Sequence, residues 1–152
     1  MNTTDKSNSR EQLKAEEFIF AIISENMKIE FTQNARLRFP NNDDIYICPD
    51  FFSEEHKIIG EIFSHIGKPK KAQDNKIAND ILKMLSYEMA SGKHYRKMLV
   101  VCDEQEYKKL QGKSFLAESI RQFKIELLYV DIGDALTNSL LEAQHRQRMV
   151  NE

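Results

Sequence analysis

The stretch that decides the fold runs from residue 45 to residue 63 and reads IYICPDFFSEEHKIIGEIF. Two apolar runs form its ends, residues 45–50 and 57–63, and the segment 51–56 joins them. Short apolar runs connected by a turn predict two paired strands of a hairpin, with 51–56 as the turn. Such a hairpin brings Asp50, at the end of the first strand, near Glu61, inside the second.

The two carboxylates predict a site for a divalent cation. Glu61 lies in mid-strand between Gly60 and Ile62, and a buried carboxylate is costly unless something pairs with it. Hard cations such as Mg²⁺ are held by carboxylate oxygens. Two structural alternatives stay open: Asp50 as a turn residue after Pro49, and Glu61 on the solvent side of an edge strand.

Outward from this hairpin, the pattern predicts helices over 10–27, 72–90, 114–123 and 134–149. It predicts further strands over 28–39, 98–102 and 125–130, the last two as central buried strands because they are continuously apolar. The order favours the α/β class, with a mixed sheet flanked by helices and at least one parallel pair. We expect residues 1–10 to be a disordered tail and residues 11–150 to form a single domain.

The two acids and this order of elements together resemble the PD-(D/E)xK nuclease superfamily. The resemblance covers about residues 11–130 and implies a restriction endonuclease-like αβββαβ core, to which this chain adds a C-terminal helix. It also implies that Asp50, Glu61 and the main-chain carbonyl of Ile62 bind Mg²⁺ or Mn²⁺. In some members a carboxylate of the first helix joins them, for which Glu17 is the first candidate and Glu16 the substitute.

The chain departs from the family at the lysine that follows the glutamate by two residues, since Phe63 stands there. Some members carry the basic group on the next helix, which makes Lys76 the candidate here and Lys71, in the preceding loop, the second choice. Helical spacing places Lys76 on a stripe that also contains Gln73, Asp80 and Lys83. That stripe lies roughly opposite the predicted apolar face, which consists of Ala78, Ile81, Leu82, Leu85 and Met89.

Charge is unevenly distributed, although the net charge is only −2. Residues 1–64 carry 7 basic and 12 acidic side chains, whereas residues 65–97 carry 8 basic and 3 acidic ones. The basic block follows Glu61 and predicts a surface for phosphates, with a solvated loop and helix face as the alternative. Its members are Lys68, Lys70, Lys71, Lys76, Lys83, Lys93, Arg96 and Lys97, and the nucleic-acid ligands predicted nearest the acids are Lys68, Lys70, Lys71 and Gln73.

The remaining side chains carry weaker signals. His65, at the end of the second motif strand, is a candidate proton carrier, with a surface histidine as the alternative. Cys48 and Cys102 lie in apolar runs and predict buried free thiols in a reducing compartment. Residues 1–12 do not have the pattern of a secretory signal, and no apolar run approaches the roughly 18 residues of a membrane span. We therefore expect a cytoplasmic protein without membrane contact.

These observations favour a Mg²⁺-dependent hydrolase of phosphodiester bonds in nucleic acid, with DNA the preferred substrate. Asp50, Glu61 and Lys76 would be its catalytic residues. A homodimer is expected, because one small copy offers little contact area to DNA. Two alternatives remain: a nuclease fold that has lost catalysis and acts as a binding or regulatory module, and an unrelated α/β domain in which both acids are structural.

Overall fold

The computed structural model describes the backbone of residues 3–151 and the side chains of residues 10–149. Its helices are α1 (Thr3–Met27), α2 (Lys71–Ser91), α3 (Glu104–Lys109), α4 (Phe115–Gln122) and α5 (Gly133–Asn151). Its strands are β1 (Thr32–Gln33), β2 (Leu37–Phe39), β3 (Asn42–Ile47), β4 (Phe51–Ser53), β5 (Ile58–Phe63), β6 (Arg96–Val101) and β7 (Glu126–Tyr129). No helix among the described residues is both long and apolar enough to cross a membrane.

A five-stranded mixed sheet in the order β1-β4-β5-β6-β7 forms the centre of the molecule. The pairs β1/β4 and β4/β5 are antiparallel, whereas β5/β6 and β6/β7 are parallel. Helices cover both faces: α1 and α5 pack on one apolar cluster, and α2 and α4 pack on the other. The predicted class, a mixed sheet flanked by helices with at least one parallel pair, is confirmed.

Side chains of β5 alternate between the two faces, as they must in a strand. Ile58 and Ile62 belong to the cluster under α1 and α5, and Ile59 and Phe63 belong to the cluster under α2. Glu61 therefore points to the α2 side of the sheet, between the side chains of Ile59 and Phe63. All six residues of the strand are buried.

The predicted pairing of the motif strands is wrong in one respect. Residues 42–47 pair with β2 in a separate two-stranded hairpin, and the segment predicted as a turn supplies β4, the partner of β5. Phe51 and Phe52 form this strand because their rings enter opposite apolar clusters, which buries both. The turn of the β4–β5 hairpin is thus the shorter segment 54–57.

Other segments also differ from expectation. The predicted strand 28–39 is divided into β1 and β2, because Asn34 takes a left-handed conformation at φ 53°. The apolar run 125–130 forms β7 at the edge of the sheet, where its residues are half-buried, and the short helix α3 was not predicted. Residues 3–10, expected to belong to a tail, form the first turns of α1, while Met1 and Asn2 lie outside the described residues.

The two cysteines differ in their surroundings. Both are free, Cys102 is buried, and burial raises the pKa of its thiol to about 12. Cys48 is exposed, contrary to prediction, because the strand before it belongs to the outer hairpin and not to the central sheet.

Candidate active site

Asp50 immediately precedes β4 and lies beside β5, where no strand residue pairs with it. The register pairs Phe51 with Gly60, so that Asp50 lies beside Glu61 at the point where β4 begins. The main-chain N–H of Ile62 has no strand partner there and donates to Asp50 Oδ2 at 2.6 Å. The carboxylate thus accepts the hydrogen bond that a strand carbonyl would otherwise accept, and this bond holds Asp50 close to the main chain of β5.

Gly60 makes this arrangement possible. A Cβ atom at this position would lie 1.9 Å from Cζ of Phe51, which means that the phenyl ring crosses directly over the glycine. The ring also packs edge-on against Phe31, at a centroid distance of 5.1 Å. The glycine, to which sequence reasoning gave no role, therefore lets β4 approach β5 with Phe51 fully buried, and this close approach positions Asp50.

Glu61 is the most perturbed carboxyl group of the site. Only 8% of the residue is exposed, and burial is the largest cause of the raised pKa of its carboxyl group. The charges of Asp50 and Asp80 and a hydrogen bond with Asp50 act in the same direction, the Lys76 ammonium opposes them, and together these effects bring the pKa to about 10. Glu61 and Asp50 are thus close enough to share a hydrogen bond, and their neighbourhood carries more negative charge than one lysine can balance.

Helix α2 brings Lys76 and Asp80 to the same place. Its buried residues are Ile77, Asp80, Ile81 and Met84, whereas Leu82 and Met89 of the predicted apolar face are 60% and 86% exposed. The helix is therefore rotated from the predicted orientation, and the stripe with Lys76 and Asp80 borders the sheet instead of facing away from it.

The ammonium of Lys76 lies among the acids of the site. Its Nζ atom is 3.5 Å from Asp80 Oδ2 and 5.8 Å from the centroid of the Phe63 ring. It opposes the raised pKa of the Glu16, Glu61 and Asp80 carboxyl groups. Asp80, 7% exposed, was placed on the Lys76 stripe but received no role in the sequence, and burial raises its pKa.

The carboxylate of α1 that reaches this cluster is Glu16, the substitute, and not Glu17, the first candidate. Burial and then the charge of Asp50 raise the pKa of Glu16 to about 7, while Lys76 opposes the increase. Glu17 is exposed because the next residue of a helix points about 100° away.

The predicted basic surface separates into two parts. Lys68, Lys70 and Gln73 line a groove of about 610 Å³ that also contains Glu16 and Lys76, whereas Lys71 is exposed and does not line it. The later cations are engaged elsewhere: Lys93 pairs with Glu54, Arg96 with Glu126 and Lys97 with Glu88. These three pairs lie at the opposite end of the sheet, since Arg96 and Lys97 begin the strand β6 that runs parallel to β5.

His65 lies on the wall of the same groove. Its ring stacks on Phe63 at a centroid distance of 5.9 Å and an interplanar angle of 26°. Burial, and then the nearby charge of Lys70, lower the pKa of the imidazole. The lowered pKa favours the neutral imidazole, whose ring lines the groove beside the cations.

The residues of this edge fit a hard divalent cation. Asp50 and Glu61 supply two adjacent carboxylates. The N–H group of Ile62 donates a hydrogen bond to Asp50, and the carbonyl of Ile62 points to the same side of β5 as this N–H group. Among the described residues, no group of three or more His, Cys, Asp or Glu side chains could by itself hold a metal ion. The candidate ligand set is therefore two carboxylates and one carbonyl oxygen, the small protein set that Mg²⁺ accepts when water and phosphate oxygens complete its shell.

Comparison of the chain with protein-family models, curated proteins and solved structures finds no match.

Proposed function

We propose that this protein is a metal-dependent nuclease that hydrolyses phosphodiester bonds in nucleic acid, with DNA as the preferred substrate. One observation carries the proposal: Asp50, Glu61 and Lys76, which come from three different elements, converge at one edge of β5. A buried excess of carboxylates is costly without a cation, which favours a metal ion beside these acids.

The topology also supports a restriction endonuclease-like arrangement. A helix precedes the antiparallel strands β4 and β5, which carry the two acids, and α2 connects β5 to the parallel strand β6. In this proposal the hairpin β2–β3 is an addition to the core, as is α5 at its C-terminal side. The order and direction of these strands support the proposed resemblance to the PD-(D/E)xK superfamily.

Each residue has a defined task in the proposed reaction. Asp50, Glu61 and the Ile62 carbonyl would hold Mg²⁺ or Mn²⁺, which when bound supplies charge neutralisation on the phosphate and a more acidic water. Lys76 Nζ would donate a hydrogen bond to the attacking water or to a phosphate oxygen. Glu16, with a pKa of about 7, would be able to accept a proton near neutral pH.

The relocated lysine explains why Phe63 is compatible with activity. The family's lysine would extend from position 63, on the same face of β5 as Glu61. Here the Phe63 ring occupies that position and Lys76 lies over it, so that the ammonium reaches the same region from α2. A cation over an aromatic face is favourable by about 0.5–1 kcal/mol at exposed sites, which helps to hold Lys76 toward the acids.

The test is cleavage of labelled single- and double-stranded oligonucleotides with Mg²⁺ or Mn²⁺. Glu61→Gln should abolish cleavage while the protein stays folded, and Lys76→Ala should lower the rate roughly 100-fold or more. Lys108→Ala, an exposed helical lysine outside the groove, is the control and should cleave like the wild type. Cleavage that survives Glu61→Gln would contradict the assignment.

A folded protein that binds nucleic acid without cleaving it would instead support the second function, an inactive nuclease fold used as a binding or regulatory module. Phe63 favours this alternative, because it stands at the position where the family has its lysine. Dimerisation belongs to the same proposal, because two copies would double the contact with DNA, and sedimentation velocity of the pure protein tests it.

A further inference from the structure

The groove beside Asp50 and Glu61 includes residues that the nuclease motif does not. The groove extends from Glu16 and Lys76 past the loop 64–70, which forms one wall, to the C-terminal part of α5, which forms the other. The cationic or titratable side chains along it are Lys68, Lys70, Lys76, Arg148, His65 and His145. Glu16 is the one acid in its lining, so that the groove is predominantly positive.

Hydrogen bonds hold the two walls in a fixed position relative to each other. The Gln144 amide of α5 donates to the carbonyl of Ile66 at 2.7 Å and accepts from its N–H at 3.0 Å. On the other side of the loop, the N–H of Gly67 donates to Asp103 Oδ2 at 2.8 Å. The loop is thus tethered to α5 and to the end of β6, and the groove is preformed.

Among the described side chains, three cations of the groove lack the carboxylate partners that Lys76 and the cations at the other end of the sheet have. Within the part of the chain whose side chains are described, Lys68, Lys70 and Arg148 have no carboxylate oxygen within 4.0 Å. Arg148 Nη2 instead lies 3.3 Å from His145 Nδ1. Unpaired cations that face one another across a cavity are suited to an anionic ligand with several charges.

We propose that this groove binds a single strand of nucleic acid, with Lys68 and Lys70 on one wall and Arg148 on the other contacting successive phosphates. The inference rests on the proposed function and specifies its substrate. Proteins read a duplex by inserting a protruding element into a DNA groove, whereas a single strand lies inside a basic groove of the protein with bases stacked on rings. Here the charges lie inside a concavity, and His65 on Phe63 provides the stacking surface.

The test is fluorescence anisotropy of labelled oligonucleotides in the presence of a chelator, which separates binding from cleavage. Single-stranded DNA, single-stranded RNA and duplex DNA of equal length are compared with the intact protein. A single strand should bind more tightly than the duplex, and the better of the two single strands identifies the polynucleotide. Counterion release predicts that Lys68→Gln with Lys70→Gln weakens binding roughly tenfold at physiological salt and lowers the salt slope by about 1.4.

Arg148→Gln should weaken binding about fourfold by the same relation, which tests the wall formed by α5. The control is Lys108→Gln with Lys113→Gln, which removes two exposed lysines outside the groove and should leave the affinity unchanged. The inference is overturned if the wild type binds no single strand, if the duplex binds as tightly, or if the groove variants bind like the control. Single-strand binding without any cleavage would support the groove and contradict the nuclease, so that the two failures can be distinguished.

Discussion

Gly60→Ala tests the link between packing and the site. The added methyl group would lie 1.9 Å from Phe51 Cζ, and ordinary contact begins near 3.4 Å, so the ring or the strand must move by about 1.5 Å. Phe51 is fully buried and packs on Phe31, which leaves its ring little room. Overpacking of a filled core costs typically 1–3 kcal/mol, and this severe overlap predicts the upper end, about 3 kcal/mol.

The same displacement should affect activity beyond the loss of stability. Phe51 is the next residue after Asp50, so a shift of its ring moves the carboxylate that accepts the Ile62 N–H at 2.6 Å. Urea denaturation measures the free energy of unfolding, and cleavage is assayed at a temperature where the variant is fully folded. Adding Phe51→Leu to the variant removes the clashing ring atoms and should recover part of the lost stability.

Gly92→Ala is the matched control. Gly92 takes φ 70° at the end of α2 and has no atom within 4 Å of an added Cβ, so alanine there meets strain without a clash. We expect a cost of about 1 kcal/mol, no recovery by Phe51→Leu and unchanged cleavage. An unchanged urea midpoint for Gly60→Ala, or a recovery by Phe51→Leu that is equal in both backgrounds, would refute this account of the β4–β5 contact.

Three further predictions concern carboxyl groups. Glu16→Gln should lower cleavage about tenfold or more, whereas Glu17→Gln, its exposed neighbour, should not, as single-turnover rates would reveal. Glu106 is 1% exposed, both its carboxyl oxygens lack hydrogen-bond partners among the described residues, and burial raises its pKa. Glu106→Met should therefore stabilise the protein by about 1–2 kcal/mol at pH 7 and by less at pH 4, where the carboxyl group is largely protonated in the unfolded chain as well. Urea denaturation at the two pH values measures the difference. The pKa of Glu54 is lowered to about 2, chiefly by a hydrogen bond from Lys57, so the wild type should lose stability as the pH falls from 4.5 toward 2, and Glu54→Gln should show a smaller loss.

The class of the fold was predictable because its central elements carry strong patterns. The buried strands β5 and β6 consist mainly of apolar residues, and α2 ends at Ser91, one residue beyond the predicted end, with Gly92 in the left-handed conformation. What failed was the pairing at β4. Phe51 and Phe52 are adjacent and both buried, so they lack the alternation that marks a strand with one wet face, and they were assigned to a turn.

The prediction of the buried face of α2 was wrong because charged residues of the candidate site lie on that face. Asp80 is a charged residue in the buried stripe, whereas Leu82 and Met89 are apolar residues on the exposed side. Residues that serve a site interrupt the amphipathic pattern, so the stripe with Lys76 was judged to face away from the sheet. The choice between Glu16 and Glu17 failed for a related reason, because both lie at the edge of the apolar face of α1 and only tertiary packing decides between them.

The proposed function requires Asp50 and Glu61 to hold one divalent cation beside β5 when nucleic acid is present. Mn²⁺ titration followed by electron paramagnetic resonance measures this binding, with a phosphorothioate strand added to complete the metal shell. We expect one Mn²⁺ to bind to the wild type and to the control Glu17→Gln, and none to bind at comparable concentration to Asp50→Asn or Glu61→Gln. Equal Mn²⁺ binding by all four proteins, or no binding by the wild type with the strand present, would contradict it.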